Sequence, residues 1–153
     1  KKFRRYLVKM KIDNIREYKS KDLDNIMEIW VNTNIEAHNF IDENYWRNNF
    51  DMVKEMMPSA ELYVFEEDGE IKGFVGLMEN YIAGIFVKGN NKSKGIGKSL
   101  LDFIKEKREE LNLSVYEKNT RAIEFYKREG FVVVDKNIEE DNDEVEFLMS
   151  WSK

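Results

Sequence analysis

Cysteine is absent from this 153-residue chain, and histidine and proline occur once each. Without cysteine there is no disulfide, no thiolate metal site and no thiol nucleophile, a composition compatible with a reducing compartment. His38 is the sole imidazole, which rules out histidine-rich zinc sites, and no metal is expected. No apolar run approaches the roughly 20 residues that span a bilayer, and the start lacks the apolar stretch of a secretory signal. These absences lead to the expectation of a soluble, cytoplasmic protein with no membrane partner. Hydrophobic residues make up 42% of the chain. That is enough for one domain with a proper core, in a chain too short for two.

Positive charge is outnumbered, 25 basic residues to 30 acidic ones, and unevenly placed. Lys1, Lys2, Arg4, Arg5 and Lys9 stand in the first ten residues with no acid, whereas the other 143 residues carry 20 basic and 30 acidic groups, a balance of −10. Residues 1–10 are accordingly read as a basic N-terminal extension, with Met10 a plausible start, and residues 11–153 as a single domain. An acidic body disfavours nucleic acid and draws in a small cationic amine or a basic peptide, although acidity also serves solubility. Monomer and homodimer are both compatible with this composition.

Hydrophobic spacing orders the rest. Ile12 to Tyr18 suits an edge strand; Ser20 or Asp22 can cap a helix through Leu23, Ile26, Met27, Trp30 and Asn34. Asp42 caps a second helix with a stripe of Trp46, Phe50, Val53 and Met57, ended by Pro58. Trp30, Trp46, Met52, Met56 and Met57 are read as core. Two β-rich runs, Glu61 to Glu66 and Ile71 to Glu79, meet at Asp68-Gly69, the signal of a type I′ hairpin. A strand over Tyr81 to Val87 follows, then a helix from Gly95 to about Glu110 and a short strand over Leu113 to Tyr116. After a helix opening at Asn119, Phe131 to Val134 and Val145 to Trp151 form a terminal pair. This order implies α+β with a central mixed sheet, mostly antiparallel and flanked by helices.

The most informative stretch runs from Ile85 through Lys88-Gly89-Asn90-Asn91-Lys92-Ser93-Lys94-Gly95-Ile96-Gly97-Lys98-Ser99 into Leu100 and Leu101. A strand passes through a basic, glycine-punctuated loop into an amphipathic helix. Open N–H groups and the positive end of the peptide dipole make such a helix start a socket for phosphate. Lys92, Lys94 and Lys98 add charge there. A Walker A loop fails, because Lys92 stands where its first glycine belongs. The dinucleotide fingerprint fails at Leu100, where its third glycine belongs. The pattern present is Lys92, two residues, Gly95, one residue, Gly97. Downstream stands Asn119-Thr120-Arg121-Ala122-Ile123-Glu124-Phe125-Tyr126-Lys127-Arg128-Glu129-Gly130-Phe131. Here Asn119 is a reasonable N-cap and Gly130 a helix stop.

Together these two motifs resemble the pyrophosphate loop and the Asn-x-x-Ala-x-x-Phe-Tyr-x-x-x-Gly-Phe element of the GNAT superfamily of acyl-CoA-dependent N-acyltransferases. The resemblance runs from about Ile12 to Trp151. It implies a splayed parallel strand pair, Tyr81 to Val87 and Leu113 to Tyr116, holding the coenzyme. It implies direct transfer of acetyl from acetyl-CoA to a primary amine of a small molecule, a protein lysine or an N-terminus. The pantetheine arm would lie along Ile85, Phe86 and Val87. Main-chain groups from Lys92, Ser93, Lys94, Gly95, Ile96, Gly97 and Lys98 would take the pyrophosphate. Tyr126 would be the general acid that protonates the departing thiolate, and Asn119 would bond the pantetheine, order a water or simply cap its helix.

The general base is less plainly marked. Some superfamily members carry a glutamate midway along the strand before the loop, where this chain has Ala83. Glu79, at the start of that strand region, is the nearest carboxylate candidate. His38, in Glu36-Ala37-His38-Asn39-Phe40 between the two early helices, is the other candidate for proton abstraction or acceptor binding. A rival reading from another class is a non-catalytic acyl-CoA sensor on the same fold. A nucleoside-triphosphate binder would rest on Gly97-Lys98-Ser99 alone.

Overall fold

In the computed structural model the described residues are 12–91 and 94–153. The basic extension over residues 1–10, together with Lys92 and Ser93 of the loop, lies outside them. Seven strands form one sheet: β1 (Ile15–Glu17), β2 (Glu61–Glu67), β3 (Glu70–Met78), β4 (Tyr81–Val87), β5 (Glu110–Tyr116), β6 (Val132–Glu139) and β7 (Glu144–Ser152). Their spatial order is β1-β2-β3-β4-β5-β7-β6. All neighbours are antiparallel except β4 and β5. Among the described residues five α-helices cover the sheet: α1 (Leu23–Ala37), α2 (Glu43–Asn48), α3 (Phe50–Met56), α4 (Ile96–Lys105) and α5 (Thr120–Arg128). None of the described helices is long and apolar enough to cross a membrane.

Strand alternation sends neighbouring residues to opposite faces, and each face builds its own core. On one face, Phe65, Val75, Leu77, Leu113 and Val115 pack with Leu100, Leu101 and Ile104 of α4 and with Ile123 and Tyr126 of α5. On the other, Leu62, Val64 and Phe74 pack with Ile26, Met27 and Trp30 of α1 and with Trp46 of α2, while Phe86 and Tyr116 add to the edge. The β2–β3 hairpin turns as expected, with positive φ at both Asp68 (55°) and Gly69 (76°).

Several elements differ from expectation. The second helix is two: Asp42 caps α2 by accepting from Asn44 N–H at 2.8 Å, but the chain breaks at Asn49, whose Nδ2 donates to the Tyr45 carbonyl at 2.6 Å. A side-chain amide engaging the local backbone competes with the helical ladder. The break leaves Met52 and Met56 exposed rather than in the core. α4 ends at Lys105, because Glu110 is already in β5, paired with Ser152. β6 runs on to Glu139. As an edge strand it leaves Val132, Val133 and Val134 exposed, and Phe131 just before it supplies the buried side chain.

Candidate active site

β4 and β5 share a single register pair, Tyr81 with Asn112. The chain directions then diverge, and beyond Tyr81 the edge of β4 that faces β5 has no strand partner. β4 is also irregular. Gly76 pairs with Gly84 and Leu77 with Ile82, so Ala83 is the extra residue of a β-bulge. The bulge re-aims the strand as it enters the gap.

The gap is a cleft of about 670 Å³, in the range of small-ligand pockets, and it passes between the two faces of the sheet. β4 lines it with Tyr81, Ala83, Gly84, Ile85, Phe86 and Val87. The α4 and α5 side contributes Gly95, Gly97, Lys98, Asn119, Ala122, Phe125 and Tyr126; the α1 and α2 side contributes Trp30, Asn34, His38 and Trp46. Trp30 and Trp46, expected to be core, are core residues that also form the wall. Trp46 is buried with its indole N–H unpartnered among the described residues.

At the loop end Gly95 takes a left-handed conformation (φ 80°, ψ 8°) that favours glycine, and it opens α4 without any side-chain cap. Ser99 N–H donates to the Gly95 carbonyl, so the N–H groups of Ile96, Gly97 and Lys98 precede the helical ladder and have no partner within it. At Gly97 a Cβ would come to 3.8 Å from both Phe125 and Val87, ordinary contact that leaves close main-chain approach open. Lys98 lines the cleft while its Nζ pairs with Glu129 at 2.9 Å and Asp102 at 3.4 Å, which raises its pKa and fixes its charge. Ile96 is buried, so only its main chain can meet a ligand, and Lys94 is exposed outside the cleft wall. These donors, with Arg121 and Arg128 also in the lining, fit a diphosphate.

Tyr126 is 8% exposed, packed edge-on against Phe125 and Phe131. Burial, helped by the nearby Tyr81, pushes its phenol pKa well above 10.0, so it remains protonated at neutral pH. Asn119 does cap α5, its Oδ1 accepting from Ala122 N–H at 3.3 Å. That bond orients the amide, whose Nδ2 donates to His38 Nε2 at 3.3 Å. His38 Nδ1 lies 2.9 Å from the Asn34 carbonyl, which can only accept, so Nδ1 carries the proton and Nε2 the lone pair. The ring stacks on Trp46 and meets Tyr116 and Phe40 edge-on; burial lowers its pKa below 6.5, against a smaller opposing effect of the Asn34 bond.

Glu79 lies apart from this group. It occupies the β3–β4 turn with φ 56°, exposed and outside the cleft wall, its carbonyl accepting from Arg108. The tight turn that joins the strands points it to solvent. Two carboxylates do line the cleft: Glu129, paired with Lys98, and Glu146 of β7, which has Ser114 and Tyr116 of β5 beside it. Sequence reasoning missed Glu146 because it stands 67 residues beyond Glu79 in the chain, in a strand whose alternating pattern suggested only a terminal pair.

Residues 18–147 match the family model described as an acetyltransferase (GNAT) domain. The chain belongs to the GNAT acetyltransferases. This GNAT chain is 37% identical over 139 residues to the peptidyl-lysine N-acetyltransferase YiaC of Escherichia coli, covering 90% of this chain and 95% of that one. It is 29% identical over 125 residues to the peptidyl-lysine N-acetyltransferase YjaB of Salmonella typhimurium, covering 81% and 86%. The solution structure of apo YjaB from E. coli shares the fold with a TM-score of 0.80 at 24% identity, over 90% of this chain and 95% of that one. The PaiA N-acetyltransferase of Thermoplasma acidophilum, solved with coenzyme A, superposes with a TM-score of 0.75 at 22% identity, over 91% and 98%. The protein is thus an acetyl-CoA-dependent N-acetyltransferase.

Proposed function

We propose that this GNAT enzyme acetylates the ε-amine of lysine side chains in proteins, acting in the cytoplasm. The observation that carries the reading is the cleft itself. It joins an uncapped glycine-rich helix start on one face of the sheet to an aromatic, partly acidic chamber on the other, with Tyr126 in its wall. The two curated relatives named peptidyl-lysine N-acetyltransferases support the acceptor class.

Acetyl-CoA supplies an acetyl group activated as a thioester. On that basis the open N–H groups of α4 bind the diphosphate, and the unpartnered edge of β4 beyond the Ala83 bulge hydrogen-bonds the extended arm as an added strand would. Main-chain N–H groups of the same edge stabilise negative charge at the acyl oxygen. Tyr126 donates its phenolic proton at the sulfur. His38, held neutral by burial and oriented through Asn34 and Asn119, walls the acceptor side with its Nε2 lone pair toward Asn119. It can take a proton there only after that contact yields.

Tyr126→Phe tests the reading. On a lysine-containing peptide, kcat is expected to fall about 10²-fold or more, the usual worth of a positioned acid, with CoA affinity by calorimetry little changed. Tight CoA binding with no acetylation of any peptide by the wild type would favour a sensor instead.

A further inference from the structure

The cleft is basic on one side of the sheet and acidic on the other. Lys98 lies with α4 and α5, on the face that carries Tyr126. Glu146 lies opposite. Its register partner in the antiparallel β5–β7 pair is Tyr116, which packs on the α1 and α2 side, and directly paired residues share a face. Glu146 therefore belongs to the chamber of His38 and Trp46, reached through the gap from the glycine loop.

Its carboxylate is also the uncommitted one. Nearby acids are engaged: Glu129 with Lys98 at 2.9 Å, Glu144 with Lys118 at 3.0 Å. Glu139 accepts from the Tyr116 hydroxyl and from Asn142 N–H and Nδ2 at 2.7 and 2.8 Å. No lysine or arginine among the described residues pairs with Glu146, although it is half-buried. Burial, with repulsion from Glu139, holds its pKa above the ordinary 4.5. A carboxylate that has lost part of its hydration without gaining a partner recovers that cost when a cation enters.

We propose that Glu146 selects a cationic acceptor, pairing its carboxylate with the ammonium of the incoming lysine side chain. This rests on the acetyl-transfer reading above and names the residue that recognises the acceptor. The binding contact precedes proton loss and supplies affinity rather than chemistry. Glu146 is thus a specificity residue, distinct in effect from Tyr126.

The test is steady-state kinetics of Glu146→Gln, Glu146→Ala and Glu146→Asp on a lysine peptide, with CoA affinity measured by calorimetry on each variant. Glu146→Gln keeps the shape and removes the charge; its KM for the peptide is expected to rise about tenfold or more, the worth of a charge-assisted hydrogen bond. The change in kcat should be smaller and CoA affinity should stay within about twofold. Glu146→Ala should show the same KM rise, and Glu146→Asp should recover most of it. A KM within about twofold of wild type in both neutral variants overturns the proposal, as does a fall confined to kcat. A wild-type enzyme that binds CoA yet acetylates no lysine peptide overturns the acceptor reading itself, and the role of Glu146 falls with it.

Discussion

His38 shows how surroundings set the charge of a single side chain. Its folded pKa lies below 6.5 because burial disfavours the imidazolium. Between the folded and unfolded values the unfolded chain binds the proton and the folded chain does not, so stability rises with pH across that window. The contribution is complete above about pH 6.5 and is lost as pH falls through the folded value. Denaturant unfolding between about pH 5 and 7 should show this slope in the wild type and a flatter one in His38→Gln. Since the chain has one histidine, its NMR titration gives the folded value without ambiguity. At this same scale the placement of Tyr126 in the cleft wall was legible in the sequence, because it stands inside a spaced motif. Glu79 and Glu146 were not, because which carboxylate faces the cleft depends on a turn in one case and on cross-strand register in the other.

At the scale of elements, α5 couples its own cap to the α1 side of the cleft through Asn119. Its Oδ1 holds the helix start and its Nδ2 meets His38. The two functions separate by substitution. Asn119→Ala should cost about 1 kcal/mol of stability, the usual worth of an N-cap, in thermal or denaturant unfolding. Asn119→Asp should keep the cap while placing a carboxylate toward His38 Nε2, which raises the His38 pKa above its wild-type value in the NMR titration. An unchanged titration would show that the Asn119 contact does not reach the imidazole in solution. A second local device anchors α1: the buried Asp22 accepts from Lys19 N–H at 2.8 Å and from both terminal nitrogens of Arg16 at 2.9 and 3.0 Å, tying β1 to the helix start. Boundaries of this kind were legible where one residue carries the signal, as at Asp42, Asp68-Gly69 and Gly130. They were illegible where a side chain overrode a continuing pattern, as at Asn49.

Across the whole molecule, two cores back a single sheet that is held together in its middle by one register pair. A ligand threaded between β4 and β5 therefore bridges halves that share few direct bonds there. Coenzyme A at about 100 times its dissociation constant should add about 2.7 kcal/mol of stability. For a chain of this size that is a rise of roughly 5–10 °C in Tm, measurable by scanning fluorimetry. A lysine peptide alone, without coenzyme A, should give a smaller shift, since on the proposed reading it fills only the chamber on the far face.

The sequence by itself determined the family, the strand and helix order and the glycine-punctuated turn from β4 into α4. Each of these is written in short-range spacing: alternation for strands, 3.6-residue periodicity for helices, two glycines and a basic residue for the loop. Tertiary structure decided what meets across the gap. His38 at the end of α1, Asn119 and Tyr126 of α5 and Glu146 of β7 come from three separate elements, and only the divergence of β4 from β5, together with the pairing of Tyr116 with Glu146, brings them around one cleft. Local pattern records which face a side chain takes relative to its neighbours in the chain. It does not record which distant strand lies alongside, and that pairing places Glu146 in the cleft wall.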